Sequence, residues 1–537
     1  ADAHFLYGAL YFWPAANHEP GTMLDIYEFD TGKFLGQIKQ VEHTYQVTGN
    51  MNEYQVAIGE TTYTGLEALG SQSGAIMDYG NLMLVALQRS RTAREAIKVI
   101  SELMAEYGYA STGESFSISD PNEVWILELI GKGEGVKGAV WVARLVPDGY
   151  ICAHANQARI TTFPIQKENN YNDPNQTTYH AHDVVSFAID KGLYKGKDKD
   201  FSFSDVYAPV DFSGARFCEI RVWSFFKNFS KEIADNKDYF EYSKGHVKHS
   251  VEHVEGEPLT PEHFATNRMP LWIKPDQKLS VHDVMNNMRD HLEGTELDMT
   301  KDVGAGPYEM PYRWRPLTWE VDGTTYCNER ATSTQQTGSS FVTQSRNWLP
   351  DPIGGIFWFG VDDAASSVYL PIYCGANKTP KSMCPSNGSM IEWSNKSAFW
   401  IFNQVSNLAY TRYNTIHPEI HEYQQAVEEK FIAYTPVIDQ AAKTLYEKDK
   451  DLGIQFITDY TCNTADMLVN DWKSFYQYLF MKYKDGNIMK TEGRKLLDNG
   501  NGKDIPFNPD QPGYGDEYYK LIIEKTGEQF KYVGGGH

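Results

Sequence analysis

The stretch "GNMNEYQVAIGETTYTG", from Gly49 to Gly65, holds a short apolar run, Gln55-Val56-Ala57-Ile58, that closes on Glu60, Thr61 and Thr62. A carboxylate and two hydroxyls gathered at a strand end are groups that can hold a substrate or a proton. They are also ordinary turn formers, so this stretch alone leaves both roles open. Six cysteines supply the other reactive groups, too few for a disulfide scaffold. Cys374 and Cys384 frame the polar span "CGANKTPKSMC", with no metal-ligand companions. A disulfide closing it is the expectation carried forward, with two independent thiols as the alternative. A bridge suits a secreted or periplasmic protein better than a cytoplasmic one. CxxC, HExxH and GxxxxGK[ST] are all missing, so no metal or other cofactor is expected.

Charge narrows the partners. Lys and Arg number 49 against 71 Asp and Glu, a net charge of −22, and no basic run offsets it locally. Such a surface has no general attraction for phosphate backbones, which argues against nucleic acid. The longest apolar runs, "NLMLVAL" and "EVWILELI", are too short to span a bilayer. Hydrophobic residues at 41% and charged residues at 22% describe a globular chain, long enough for one large domain with an extension or for two to three domains.

The elements that must position any site follow from periodicity. Residues 78–108 read as one helix, with apolar residues at Ala93, Ala96, Ile97, Ile100, Leu103, Met104 and Tyr107, a capping box at Thr92–Glu95 and an αL stop at Gly108. "ESFSISD" alternates, Pro121-Asn122 turns, and "EVWILELIG" returns as a mostly buried strand. "GAVWVARLV", the turn Pro147-Asp148-Gly149 and "YICAHAN" read as a second hairpin. A helix followed by two hairpins predicts an antiparallel sheet with helices on its face, an α+β arrangement. Residues 165–310 are polar and irregular, with one helical patch at 281–292. Strand-like segments return at "SSFVTQSR", "GGIFWFGV" and "SSVYLPIYC", and from about 390 the pattern is helical almost to the end.

Three blocks, "GNMNEYQVAIGETT", "SFSISDPNEVWILELIG" and "WVARLVPDGYICAHANQARI", occur in the order and spacing of the dipeptidases of peptidase family C69, which the chain resembles up to about residue 430. "RFCEIRVWSFF" and "ERATSTQQTGSSFVTQSRNWLP" look like later blocks of the same family. That family is similar to the choloylglycine and penicillin V acylases, N-terminal-nucleophile hydrolases. The resemblance implies an αββα sandwich over 1–375, an irregular insertion at about 165–310, and a mainly helical C-terminal region, 376–537, packed on it.

The resemblance also implies a mechanism. A mature N-terminal cysteine attacks the amide and its own α-amine, with a reference pKa of roughly 7.7–8.0, acts as the base. Asn156, in "HANQARI", matches an oxyanion donor, and Glu60, Thr61 and Thr62 lie where relatives offer another donor, often a main-chain N–H. Arg221 matches an arginine beside the nucleophile, and Asp2 a carboxylate that holds the nucleophile's amine. Asn52 and Glu53 fit turn and strand anchoring better. None of Cys152, Cys218, Cys327, Cys374, Cys384 or Cys462 can be the N-terminal nucleophile, which is expected upstream of Ala1. The substrate implied is a small peptide, most simply a dipeptide, and a homo-oligomer is compatible with the pattern. Two other functions remain: an inactive relative that binds peptides or amides, and a hydrolase of bile-salt or penicillin amides.

Overall fold

The computed structural model describes residues 8–534, which leaves Asp2 outside the described residues. Eight antiparallel strands lie side by side in chain order: β1 (Phe12–Trp13), β2 (Val47–Thr48), β3 (Met51–Asn52), β4 (Ala57–Tyr63), β5 (Gly113–Ser119), β6 (Val124–Gly131), β7 (Ala139–Leu145) and β8 (Thr178–His180). The long inner strands are the ones with alternating or continuous apolar residues. Pairing Thr61 with Ser115 and Thr62 with Glu114 sets the register of β4 against β5, and period-two alternation then sends Thr61 and Thr62 to opposite faces.

On one face, Ile58, Phe116, Ile118, Leu127 and Leu129 are buried against Leu82, Val85, Ile97 and Ile100 of two helices, α1 (Tyr79–Arg89) and α2 (Ala93–Tyr107). The single helix expected over 78–108 is therefore two. Asn52 explains the break. Its buried amide donates to the carbonyls of Leu87 and Ser90 at 2.8 Å each, ending α1, while its oxygen accepts from Tyr54 and Val56. Thr92 then caps α2 by accepting from the Glu95 N–H. The Glu95 carboxylate reaches back to Arg91 N–H, one residue beyond the usual capping-box position. Gly108 does end α2, but its φ of 78° is joined to a ψ of 176°, so it leaves in an extended direction instead of an αL turn.

The other face of the sheet carries Met51 and Ala57 into a second core with β9 (Ser339–Gln344), β10 (Ile356–Val361) and β11 (Leu370–Tyr373), a smaller antiparallel sheet. Gly49 shows how close the approach is: a Cβ there would stand 2.7 Å from the Phe357 ring. Long C-terminal helices complete this core through Ile416, Ile420, Trp472 and Leu479. Among them Tyr413–Lys448 contributes Glu428 and Asp439, which accept from Tyr369 N and the Tyr373 hydroxyl at 2.8 Å each.

Three further expectations are corrected. Ile151–Cys152 does not fold back on β7; it pairs with Trp272–Ile273, and the outer edge of β7 is taken by the buried Thr178–His180. Residues 165–310 are not merely irregular. They hold a third core, in which Ile220, Trp223 and Phe226 of α3 (Ile220–Phe229) pack with Ile233, Tyr242 and Ile273. The patch at 281–292 is helical only over Val281–Asn287. Finally, all six cysteines are free. Cys374 is buried at the end of β11 with its Sγ 3.3 Å from the Asp351 carbonyl, whereas Cys384 faces the Pro380 carbonyl at 3.4 Å. The expected bridge is not formed.

The run Gly133–Gly138, "GEGVKG", has the glycine spacing of a dinucleotide loop. It joins the antiparallel strands β6 and β7, so no helix N-terminus follows it to receive a phosphate.

Candidate active site

Asn156 stands at the top of a turn with φ 55°, a left-handed conformation that asparagine tolerates better than most residues. Four anchors hold the turn. Its own N–H donates to Thr61 Oγ1 at 2.5 Å, its Nδ2 donates to the Thr62 carbonyl at 2.5 Å, and its Oδ1 accepts from Arg221 Nη2 at 2.8 Å. Two residues earlier, His154 Nε2 meets Ser117 Oγ at 2.5 Å. Because a guanidinium only donates, the Arg221 contact fixes the amide orientation: oxygen toward Arg221, nitrogen toward Thr62. Nδ2 carries two hydrogens, and the one not given to Thr62 has no acceptor among the described residues.

Below this turn lies a buried ionic support. Arg159, 5% exposed, pairs with Glu219 at 3.0 Å and donates to the carbonyls of Ala153, Pro270 and Leu271 at 2.9, 2.9 and 3.1 Å. The backbone N–H groups of Arg159 and Ile160 donate to the two carboxylate oxygens of Glu128 at 2.6 and 2.9 Å. Glu128 is fully buried in β6, and burial pushes its carboxyl up to about 7 against the opposing pull of those N–H groups and of Arg159. So the chain on the far side of Asn156 is clamped by a carboxylate on one strand and a guanidinium that ties together segments more than a hundred residues apart.

The expected residues separate into two groups. Thr61, Thr62, Asn156 and Arg221 come together. Glu60 does not join them, because it shares the face of Thr62's side chain, where Thr62 Oγ1 donates to Glu114 at 2.9 Å. Burial and the neighbouring Glu60 charge hold the Glu114 carboxyl well above its ordinary range, and Glu60 is itself raised, first by desolvation. Thr62 contributes its carbonyl to the site, not its hydroxyl. Asn52 and Glu53 are anchors, Glu53 accepting from Gln46 N–H at 2.9 Å.

Reading by type and spacing missed Glu128, Arg159 and Glu219. A signal existed for one of them: an acid in the middle of the apolar run "VWILELIG" has to be neutralised or hydrogen-bonded where it sits.

Two thiols lie near this turn, and neither is activated. Burial pushes Cys152 up to about 12 and raises Cys218, opposite to what a nucleophilic thiolate needs. His154 is pushed down to about 4 by burial and then by Arg159, so its ring is neutral near pH 7. Arg221 is lowered to about 10, first by burial and then by Arg330, and remains protonated at neutral pH. Among the described residues no group of three His, Cys, Asp or Glu could hold a metal ion, and no helix is long and apolar enough to cross a membrane.

A turn that presents an amide N–H beside a fixed guanidinium, on the end of an antiparallel sheet, is the kind of site that can receive a developing oxyanion. The model of peptidase family C69 matches residues 12–426, and the chain belongs to that family. It is similar to a probable dipeptidase of Latilactobacillus sakei, 24% identical over 78% of this chain and 76% of the relative. A probable dipeptidase of Salmonella dublin is 27% identical over 59% of this chain and 60% of its own length. Dipeptidase A of Lactobacillus helveticus is 21% identical over 69% and 63%.

Proposed function

We propose that this chain is the body of a dipeptidase that works through an N-terminal cysteine thiolate, placed on a segment upstream of residue 1. The observation that carries the reading is the Asn156 turn, where Oδ1 is held by Arg221, one amide hydrogen goes to the Thr62 carbonyl, and the other has no acceptor among the described residues. The mechanism follows from charge. The thiolate adds to the peptide carbonyl, and negative charge develops on its oxygen. Asn156 Nδ2 donates to that oxygen, and Arg221, held against Asn156 Oδ1, keeps the amide oriented and adds positive potential. The α-amine of the same cysteine takes the thiol proton and returns it to the leaving amine. Water then hydrolyses the thioester. Asp2 is assigned to that amine and Thr61 to the turn's position.

The fold proposed is the N-terminal-nucleophile hydrolase sandwich over 1–375, with the helices of 376–537 as an extension. Two packed sheets with helices buried against each outer face support that reading.

The test is turnover of a dipeptide panel by protein whose mature N-terminus is that cysteine, beside the chain beginning at Ala1. Hydrolysis by the first alone, abolished by thiol alkylation, is the expected result. Robust turnover by the second, sensitive to alkylation, would assign the chemistry to an internal cysteine. Binding of peptides with no turnover by either would favour a non-catalytic relative.

A further inference from the structure

Glu60 sends its side chain away from the Asn156 turn, but its main chain stays on the strand edge that the turn uses. β3 meets β4 through a single residue pair, Met51 with Ala57, because the hairpin of β2 and β3 ends at Gly49-Asn50. Beyond that tip the outer edge of β4 runs on to Tyr63 with no strand beside it among the described residues.

The contacts at either end of this stretch show which groups face outward. Ile58 N–H donates to the Asn50 carbonyl at 3.0 Å, and Asn50 Nδ2 donates to the Ile58 carbonyl at 2.9 Å. Further along, the Thr62 carbonyl accepts from Asn156 Nδ2 at 2.5 Å. The pairing of β4 with β5 is unbroken from Ala57 to Tyr63. Main-chain groups therefore alternate between the two edges, and those of Ile58, Glu60 and Thr62 share the outer one. Asn50 satisfies Ile58, and Asn156 takes the Thr62 carbonyl. That leaves Glu60 N–H, Glu60 C=O and Thr62 N–H with no partner among the described residues. They form a short open edge with an asparagine at each end.

In an extended peptide each residue presents its N–H and C=O on one side, and in the first residue the nitrogen is the α-ammonium. In a parallel pairing those two groups go to the residues flanking the one opposite. A first residue set opposite Thr61 therefore gives its ammonium to the Glu60 carbonyl and accepts from Thr62 N–H on its own carbonyl. That carbonyl then lies beside Asn156 Nδ2. An antiparallel exchange with Thr62 needs the Thr62 carbonyl, which Asn156 already occupies. Counter-charge is close: the Glu60 carboxylate hangs from the same residue, and Glu114 lies diagonally from it on that face of the sheet.

We propose that the first residue of the peptide substrate lies parallel to β4 opposite Thr61, with its α-ammonium held by the Glu60 main-chain carbonyl, a reading that rests on the dipeptidase assignment above. The site then selects a free amine on the residue that carries the scissile carbonyl. A substrate with an apolar acyl group in that place leaves the Glu60 carbonyl without a donor. Toward Asn50 the edge closes within two residues, about 7 Å of strand, so a long N-terminal extension meets the hairpin tip.

The experiment compares Ala-Ala with propionyl-alanine, the same amide without its amine, by calorimetry on the chain as it stands, which requires no nucleophile. Ala-Ala is expected to bind at least about tenfold more tightly, the yield of a charge-assisted hydrogen bond. Saturation with Ala-Ala should also slow amide exchange across residues 57–63, read by mass spectrometry, because it covers Thr62 N–H. Glu60→Gln should weaken Ala-Ala more than propionyl-alanine. Equal affinity for the two ligands, no binding of either, or unchanged exchange across 57–63 would overturn the proposal, and none of these results needs a variant to fold. So would equal weakening of both ligands in Glu60→Gln. Turnover of propionyl-alanine as fast as Ala-Ala by the cysteine-led enzyme would leave the dipeptidase reading standing and remove only the amine site.

Discussion

Replacing Asn156 by alanine, glycine and aspartate separates three contributions that the wild-type residue combines. The backbone at φ 55° costs a residue with a Cβ roughly 1 kcal/mol, and glycine almost nothing. The side chain makes two bonds, Nδ2 to the Thr62 carbonyl and Oδ1 from Arg221, so its removal leaves a carbonyl and a guanidinium donor unpaired. In a half-buried site that loss is about 2–3 kcal/mol. Asparagine already carries a Cβ at this φ, so Asn156→Ala should be destabilised by about 2–3 kcal/mol and Asn156→Gly by about 1 kcal/mol less. Asn156→Asp keeps an acceptor for Arg221 and should be the most stable of the three near neutral pH. The rate should order differently. All three lack the amide donor, so each should lose kcat by about 10²–10³-fold, equivalent to one oxyanion donor, with a smaller change in KM. Stability is read by urea unfolding, and rate by amino-acid release from Ala-Ala with the cysteine-led enzyme. An Asn156→Asp enzyme within threefold of the parent would refute the donor role. So would kcat values for alanine and glycine that follow their difference in stability, because the loss would then lie in the backbone.

Other perturbations test the supports of the turn. Thr61→Val removes the acceptor of Asn156 N–H and should lower kcat by about tenfold, checked on the same substrate with urea unfolding beside it. Glu128 binds its proton more tightly folded, at about 7, than at its ordinary 4.5. Its contribution to stability is therefore complete below about 4.5 and falls as the pH rises to about 7, by about 3 kcal/mol in all. Glu128→Gln should abolish that part of the pH dependence, so its urea midpoint should approach or pass the parent's at pH 8 and fall below it at pH 4.5; parallel pH profiles would contradict this. Titration of the unfolded, non-reduced chain should find six free thiols, and four would restore the Cys374–Cys384 bridge.

Legibility in the sequence tracked how local the cause was. The alternation in "ESFSISD" and the apolar run after it specified β5 and β6, because period and burial are properties of neighbouring residues. The long C-terminal helices were visible for the same reason. The break between α1 and α2 was not, since Asn52, some forty residues earlier, ends α1 with its amide. Nor was the partner of Ile151–Cys152, which lies at Trp272–Ile273 and is fastened there by Arg159. The third core was hidden because its helices are short and interrupted by charged residues, which dilutes the helical period. At the site, Asn156 and Arg221 were reached through resemblance, and geometry then joined them. Glu60 was grouped with Thr61 by adjacency, whereas strand alternation puts their side chains on opposite faces.

The most direct measurement is to alkylate the natural protein to complete loss of dipeptide turnover and map the label by peptide mass. Expected is that inactivation tracks labelling of a cysteine at the mature N-terminus, with Cys152 and Cys218 unmodified because burial keeps both as thiols. Inactivation that tracks labelling of Cys152 or Cys218, or turnover that survives full labelling of an N-terminal cysteine, would contradict it.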